Sequence, residues 1–262
     1  MDIREKLDLT HEDITSLDFI SFNPPYIFRK HYNQGLRSHI MQVIRPEEYK
    51  RESSGELING QMDYSIARPS YMLRIFKSKV TKDEALNEIQ KLKIMREYLK
   101  ESMAHSNEFI ASYNNEPILC GLQEYIQGDT IDPWFCVPAS YDNDFSNEMN
   151  KFIDRVKKTI HNTGYVPDLA GNGNLVYSKR GVVLTDMNNI NSIDYSQNIF
   201  LDDKGFPIID TSIEALSNLE RAVNGIAEDK LYDHFLEPQR REQVGKIRRD
   251  WRKVDKPFMG AH

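Results

Sequence analysis

Cysteine is almost missing from this chain of 262 residues: Cys120 and Cys136 are the only two. They lack the spacing of a metal site, and so few in so long a chain argue against a disulfide framework and for a reducing compartment. Long apolar runs are missing too. No stretch approaches the length of a membrane span, and Met1-Asp2-Ile3-Arg4-Glu5-Lys6 lacks the apolar run of a signal peptide, so the expectation is a cytoplasmic protein with no membrane span. An excess of positive charge is also lacking. Lys and Arg number 34 against 40 Asp and Glu, and the net charge of −6 argues against general nucleic-acid binding. No internal repeat or low-complexity segment breaks the chain.

What is present is a globular composition, 39% hydrophobic and 28% charged, long enough for a sizeable core. Its most informative stretch runs from Tyr165 to Ile190. Leu175-Val176-Tyr177 and Val182-Val183-Leu184 are short runs of strand formers joined by Ser178-Lys179-Arg180-Gly181, which predicts a hairpin. Asp168, Asn172 and Asn174 precede the first strand; Asp186, Asn188 and Asn189 follow the second. A hairpin brings its outer ends together, so two carboxylates and several carboxamides converge at one mouth. Oxygen ligands with few His or Cys nearby suit a hard cation such as Mg2+ shared with phosphate. As a bland alternative, Asn and Asp form turns for local reasons alone.

This pattern resembles the protein-kinase-like fold, in which His-Arg-Asp-Leu-x-x-x-x-Asn is followed by a hairpin and then Asp-Phe-Gly. Val166-Pro167-Asp168-Leu169 stands where the first motif begins, and Asp186-Met187-Asn188 where the second lies. The two aspartates are eighteen positions apart, as in ordinary kinases. The asparagine's position falls on Gly173, between Asn172 and Asn174. Asn174 is preferred because apolar strand residues follow it. The missing His-Arg, and Asn188 in place of glycine, put the chain among atypical or small-molecule kinases, or among pseudokinases.

Further features fall in the order the resemblance implies. Tyr71-Met72-Leu73-Arg74-Ile75-Phe76-Lys77 predicts a strand similar to the one carrying the phosphate-binding lysine. Alternation puts Leu73, Ile75 and Lys77 on one face and Met72, Arg74 and Phe76 on the other. Lys77 takes the role in the preferred register, and Arg74 in the competing one. Thr81 to Ser102 predicts a helix capped by Thr81 or Asp83, with Ala85, Leu86, Ile89, Leu92, Met95 and Leu99 at helical spacing. Glu88 is the expected partner of the lysine, with Glu84 in reserve. A second hairpin, around Asn114-Asn115-Glu116, runs into Glu124-Tyr125-Ile126, which resembles the linker whose backbone reads the adenine edge. A polar stretch from Arg51 to Gln61, where the phosphate-covering loop belongs, lacks its glycine signature.

Asp144 to Asn162 predicts a second helix, ended by Gly164, leading into the Asp168 loop. The segment after Asn189 is short and lacks Ala-Pro-Glu, which argues against a typical peptide-directed kinase. Asp210 opens the next helix, as an N-cap or as a brace for the Asp168 loop. The basic end, with Arg240, Arg241, Lys246, Arg248, Arg249, Arg252, Lys253 and Lys256, reads as a solvated helix face, with docking to an acidic partner or lipid head group as the alternative. Thr10, three residues before Asp13, reads as a capping box for a short helix.

The expected architecture is therefore α+β: a two-lobed protein-kinase-like fold, with a small antiparallel-sheet N-lobe (1–127) and a mainly helical C-lobe (128–262). The activity it implies is an atypical phosphotransfer from Mg-ATP to a small-molecule or protein acceptor. Asp168 is the catalytic residue, Asn174 and Asp186 hold Mg2+, and Lys77, Glu88, Glu124 and Ile126 bind ATP. The alternative is a pseudokinase acting as a nucleotide-sensing or protein-binding scaffold.

Overall fold

The computed structural model describes residues 2–20, 25–31, 37–58, 61–63, 66–134, 142–171 and 173–254. Cys136, Gly60 and Asn172 lie outside the described residues. The chain forms two units of α+β structure. The first comprises residues up to Gln90 together with His105–Tyr125, and the second Lys91–Ala104 together with the chain from Ile126 onward. Each has its own apolar core. Among the described residues, no helix is long and apolar enough to cross a membrane.

The first unit is built on a five-stranded antiparallel sheet of β1 (Ile27–Lys30), β2 (Ser38–Ile44), β5 (Tyr71–Phe76), β7 (Glu116–Glu124) and β6 (Ser106–Tyr113), in that order. Its register gives the two faces different characters. Phe28, Val43, Met41, Leu73, Ile75, Cys120, Ile118 and Ala111 lie on one face and are buried against Ile3, Leu9, Ile14 and Leu17 of the N-terminal segment. Helix α1 (His11–Thr15) closes that segment with the expected capping box between Thr10 and Asp13. Asp18 then accepts the Ser112 N–H at 3.1 Å, satisfying a backbone donor of the edge strand β6. Arg4, itself buried, joins Asp2 at 2.7 Å and also Glu116. The Arg4 guanidinium holds the Asp2 carboxyl down to about 2.

The opposite face is mixed, carrying a polar cluster beside the buried Ile44, Met72 and Leu119. Arg29 bonds Gln42 at 2.7 Å, and Arg74 bonds Glu108 at 3.2 Å and Ser106 at 3.4 Å. The Arg74 and Glu108 side chains are each only 3% exposed. Gly121, opposite Arg74, makes room for this pair, since a Cβ there would stand 3.3 Å from Arg74 Nη2.

Between β2 and β5 the polar stretch expected to be a loop is instead helix α2 (Pro46–Ser54) followed by the hairpin β3 (Glu56–Ile58) and β4 (Gln61–Asp63). Pro46 starts the helix and Gly55, at φ 73°, ends it. The helix buries none of its residues, so it carries no apolar stripe by which a sequence would betray it.

Helix α3 (Lys82–Leu99) begins with a second capping box. Thr81 Oγ1 accepts the Glu84 N–H, and Glu84 accepts the Thr81 N–H at 2.7 Å. Leu86, expected in the apolar stripe, is 48% exposed. The stripe runs instead through Ala85, Leu92, Met95 and Leu99.

The second unit packs α4 (Asn143–Thr163), α5 (Ile208–Asn224) and α6 (Lys230–Phe235) with a three-stranded sheet of β8 (Gly128–Ile131), β10 (Leu175–Ser178) and β11 (Gly181–Leu184). Asp142 caps α4 by accepting the Phe145 N–H at 2.8 Å, and Gly164 ends it in the left-handed region at φ 70°. Its buried face is Phe145, Met149, Phe152, Ile153, Val156 and Ile160. Helix α7 (Pro238–Val254) turns much of its positive charge inward. Arg240 is buried against Asp210, Nε to Oδ1 at 2.5 Å, and Arg241 and Arg248 both meet Glu214. Asp210 therefore does not cap α5, whose N-cap is Pro207; its carboxylate is committed to Arg240.

Two outcomes follow from the first unit's core. Leu17→Ala empties a site that is 2% exposed and is expected to cost about 2–5 kcal/mol in denaturant unfolding. Burial pushes the Cys120 thiol up to about 12, so in a Cys136→Ser background a thiol reagent at pH 8 is expected to label the chain only after unfolding.

Candidate functional site

The second unit holds Asp168 and Asp186 on two loops that are tied together at both ends. Upstream of Asp168, β9 (Tyr165–Val166) pairs with β12 (Asn191–Ser192), which lies downstream of Asp186. On the other side β10 pairs with β11, with Leu175 opposite Leu184. The segments between these pairings, described over 167–171, 173–174 and 185–190, thus form the two arcs of one closed ring. The hairpin is the one expected from the sequence, turning through Ser178, whose hydroxyl accepts the Arg180 N–H, and Gly181 at φ 95°.

Hydrogen bonds fix each arc in turn. The Asp168 carboxylate accepts the Ala170 N–H at 3.1 Å, and the Asp186 carboxylate accepts the Asn188 N–H at 3.0 Å. Both are local turns of the kind aspartate favours, and here they set the plane of each carboxylate. Asn174 is 5% exposed, and its Nδ2 donates to the Asp168 carbonyl at 3.0 Å. Thr185 crosses between the arcs, its N–H donating to the Asn174 carbonyl at 2.8 Å and its hydroxyl to the Gly173 carbonyl at 2.8 Å. From below, Ser212 on α5 accepts the Leu169 N–H at 3.2 Å. That is the brace expected of Asp210, carried two residues later. Asn189 bends the second arc at φ 68°, where an asparagine is tolerated better than most residues.

Gly171 is required by the same contact. A Cβ there would stand 2.5 Å from the Asn174 carboxamide. The structure thus ties Asn174 to the Asp168 carbonyl, and Thr185, the neighbour of Asp186, to Gly173 and Asn174. Thr185 and Ser212 were missed in the sequence because an isolated hydroxyl carries no pattern; only its position beside Asp186 could have drawn notice to Thr185.

No protein-family model matches the chain, and no curated protein matches it either. The site is therefore read from its own chemistry. Among the described residues no three His, Cys, Asp or Glu side chains cluster as metal ligands. Two carboxylates and one carboxamide form a hard, oxygen-only donor set. That set fits Mg2+, which takes one or two carboxylates and completes its shell with phosphate oxygens and water, and does not fit Zn2+.

The remaining expected residues lie elsewhere. Lys77 follows the last residue of β5, and its N–H donates to the Arg37 carbonyl at 2.9 Å. It shares the face of Leu73 and Ile75, and these two apolar neighbours are buried beneath the N-terminal segment. Burial first, and then the Lys77 charge, push the His39 imidazole down. Arg74 lies on the mixed face. Glu88 is half-buried on the inward stripe of α3, between Ala85 and Leu92, whereas Glu84 is spent in the capping box. Glu124 ends β7, its carboxylate accepting the His105 N–H at 2.6 Å, and Ile126 is half-buried in the segment leading to β8.

Gly171→Ala is expected to push the Asn174 carboxamide off the Asp168 carbonyl. The lost hydrogen bond predicts about 1 kcal/mol of destabilisation, read as a lowered melting temperature. Asn174→Ala in the same background is expected to add little, because both changes remove one contact.

Proposed function

We propose that the chain is an atypical kinase-like phosphotransferase that uses Mg-ATP. The observation that carries this reading is the closed ring, in which Asn174 is held against the Asp168 carbonyl and Thr185 links both arcs. In this reading Asp186 and Asn174 hold Mg2+, with Asn174 Oδ1 as the coordinating atom, since Nδ2 is spent on the Asp168 carbonyl. Bound Mg2+ would neutralise charge developing on the transferred phosphoryl group. Asp168 would orient the acceptor hydroxyl and take its proton as the acceptor oxygen bonds to the γ-phosphorus and the bond from that phosphorus to the bridging oxygen breaks, releasing ADP. Fixing each carboxylate plane before substrate arrives is what placement-dominated chemistry requires.

The order of elements supports the same reading. Strand β5, helix α3, the β6–β7 hairpin, helix α4, the Asp168 arc, the β10–β11 hairpin and the Asp186 arc follow one another as the kinase-like resemblance implies. For the nucleotide we propose Lys77 with Glu88 as a phosphate-binding pair and the backbone from Glu124 to Ile126 as the adenine contact. Arg74 is the competing cation, and Lys77→Ala and Arg74→Ala compared side by side decide between them. The acceptor is proposed to be a small molecule or a protein segment that needs little of the platform after Asn189.

A second reading, a nucleotide-sensing or protein-binding pseudokinase, draws on particular residues. Pro167 precedes Asp168, Asn188 replaces a glycine, and α2 occupies the stretch where a phosphate-covering loop was expected.

Mg-ATP at about a hundred times its dissociation constant is expected to stabilise the protein by about 2.7 kcal/mol, a rise of several degrees in thermal melting that vanishes with EDTA. ADP formation is expected to accompany it, and Asp186→Ala to lower turnover by at least about 100-fold. A Mg2+-dependent rise without ADP formation favours the nucleotide-sensing pseudokinase; no rise and no turnover would sink the phosphotransferase and leave the protein-binding scaffold.

A further inference from the structure

We infer that Trp134, clamped by Arg248 of helix α7, is a positioning residue for the Asp168 turn, so that the basic helix governs the geometry of the candidate catalytic carboxylate. The inference of a catalytic effect rests on the phosphotransfer reading; the clamp itself does not.

The backbone of the turn is irregular and must find hydrogen-bond partners outside a helix or sheet. The Leu169 N–H goes to Ser212, the Ala170 N–H to Asp168, the Asp168 carbonyl to Asn174 Nδ2 and the Gly171 carbonyl to the Asn174 N–H. The Ala170 carbonyl is met by Trp134, whose indole Nε1–H donates to it at 3.3 Å. Trp134 is itself oriented: its backbone N–H donates to Asp132 Oδ1 at 2.8 Å, and its ring lies partly buried against the unit's core.

The Arg248 guanidinium carbon stands 4.6 Å from the centre of the Trp134 ring. A cation so placed over an indole face is attracted by the ring's quadrupole, and more strongly where water is partly excluded. Arg248 is in turn held at 3.2 Å by Glu214, which also receives Arg241 from the same helix. Glu214 lies on α5, two residues beyond Ser212. One chain of contacts therefore runs from α7 through Arg248 and Trp134 to Ala170, and α5 grips both its ends. Ala170 is the residue whose N–H fixes the Asp168 carboxylate. Loss of the indole bond frees the Ala170–Gly171 peptide to rotate, which loosens the backbone of Ala170 and, through it, the preceding peptide whose N–H holds the Asp168 carboxylate. Misplacement of a reacting group by about 1 Å can cost about 100-fold in rate.

The test uses the full chain carrying Trp134→Phe, Arg248→Ala or both. Amide hydrogen exchange at Leu169 and Ala170 is compared with that at Phe152 and Ile153 of α4, and ADP formation from Mg-ATP is followed in parallel. Each single variant is expected to speed exchange at Leu169 and Ala170 by about 10-fold while the α4 amides keep their protection. Turnover is expected to fall about 10-fold with the KM for ATP within about twofold of its starting value, and the double variant to match the singles. Unchanged exchange at Leu169 and Ala170 overturns the clamp whatever the activity. Faster exchange with unchanged turnover overturns its catalytic role. If the parent chain makes no ADP while exchange still responds, the clamp stands and the phosphotransfer reading falls.

Discussion

Two short strand pairings, Val166 with Asn191 and Leu175 with Leu184, govern everything proposed for the second unit. Loops are the most mobile part of a protein, and an aspartate on a free loop has no fixed direction. Here each arc is anchored at both ends, and the slack that remains is removed by side-chain bonds between neighbouring residues. The cost is local: a glycine at 171 to admit the Asn174 carboxamide, and an asparagine at 189 with a left-handed backbone. The result is two aspartate turns held by covalent and hydrogen-bonded geometry.

The two faces of the first sheet show how a single pattern can be right about structure and silent about role. Alternation from Tyr71 to Lys77 separates Leu73, Ile75 and Lys77 from Met72, Arg74 and Phe76, and the strand obeys it. Alternation alone does not say which face meets the core. That depends on Ile3, Leu9, Ile14 and Leu17, 56 to 70 residues before Leu73 in sequence, which cover the Leu73 face. Arg74 is consequently the cation buried on the other side, paired with Glu108 in a geometry that no local reading could supply. In the same way, periodicity placed helix α3 and selected Glu88, but only the capping box at Thr81 explains why Glu84 is already committed.

Strong local signals were legible: α4, the strands β2, β5, β6 and β7, the β10–β11 hairpin and the capping box of α1. What escaped had a physical reason in each case. Helix α2 buries nothing and so has no stripe. Strand β8 opens with Gly128-Asp129, poor strand formers, and is held because the glycine lets its backbone lie against that of Tyr177. The basic end read as a solvated face because charge alone does not reveal partners; Asp210 and Glu214 turn Arg240, Arg241 and Arg248 inward. The candidate site was legible in its acids and amides, and illegible in the hydroxyls of Thr185 and Ser212 that hold them.

The N-terminal segment carries a consequence for biosynthesis. Its apolar residues are translated before the surface they cover, which is completed only when β6 and β7 have emerged, roughly a hundred residues later. Until then Ile3, Leu9, Ile14 and Leu17 have no native surface to settle on. Their docking closes a very long loop, which is slow relative to local folding. Docking of this stretch therefore waits on the strands that it covers.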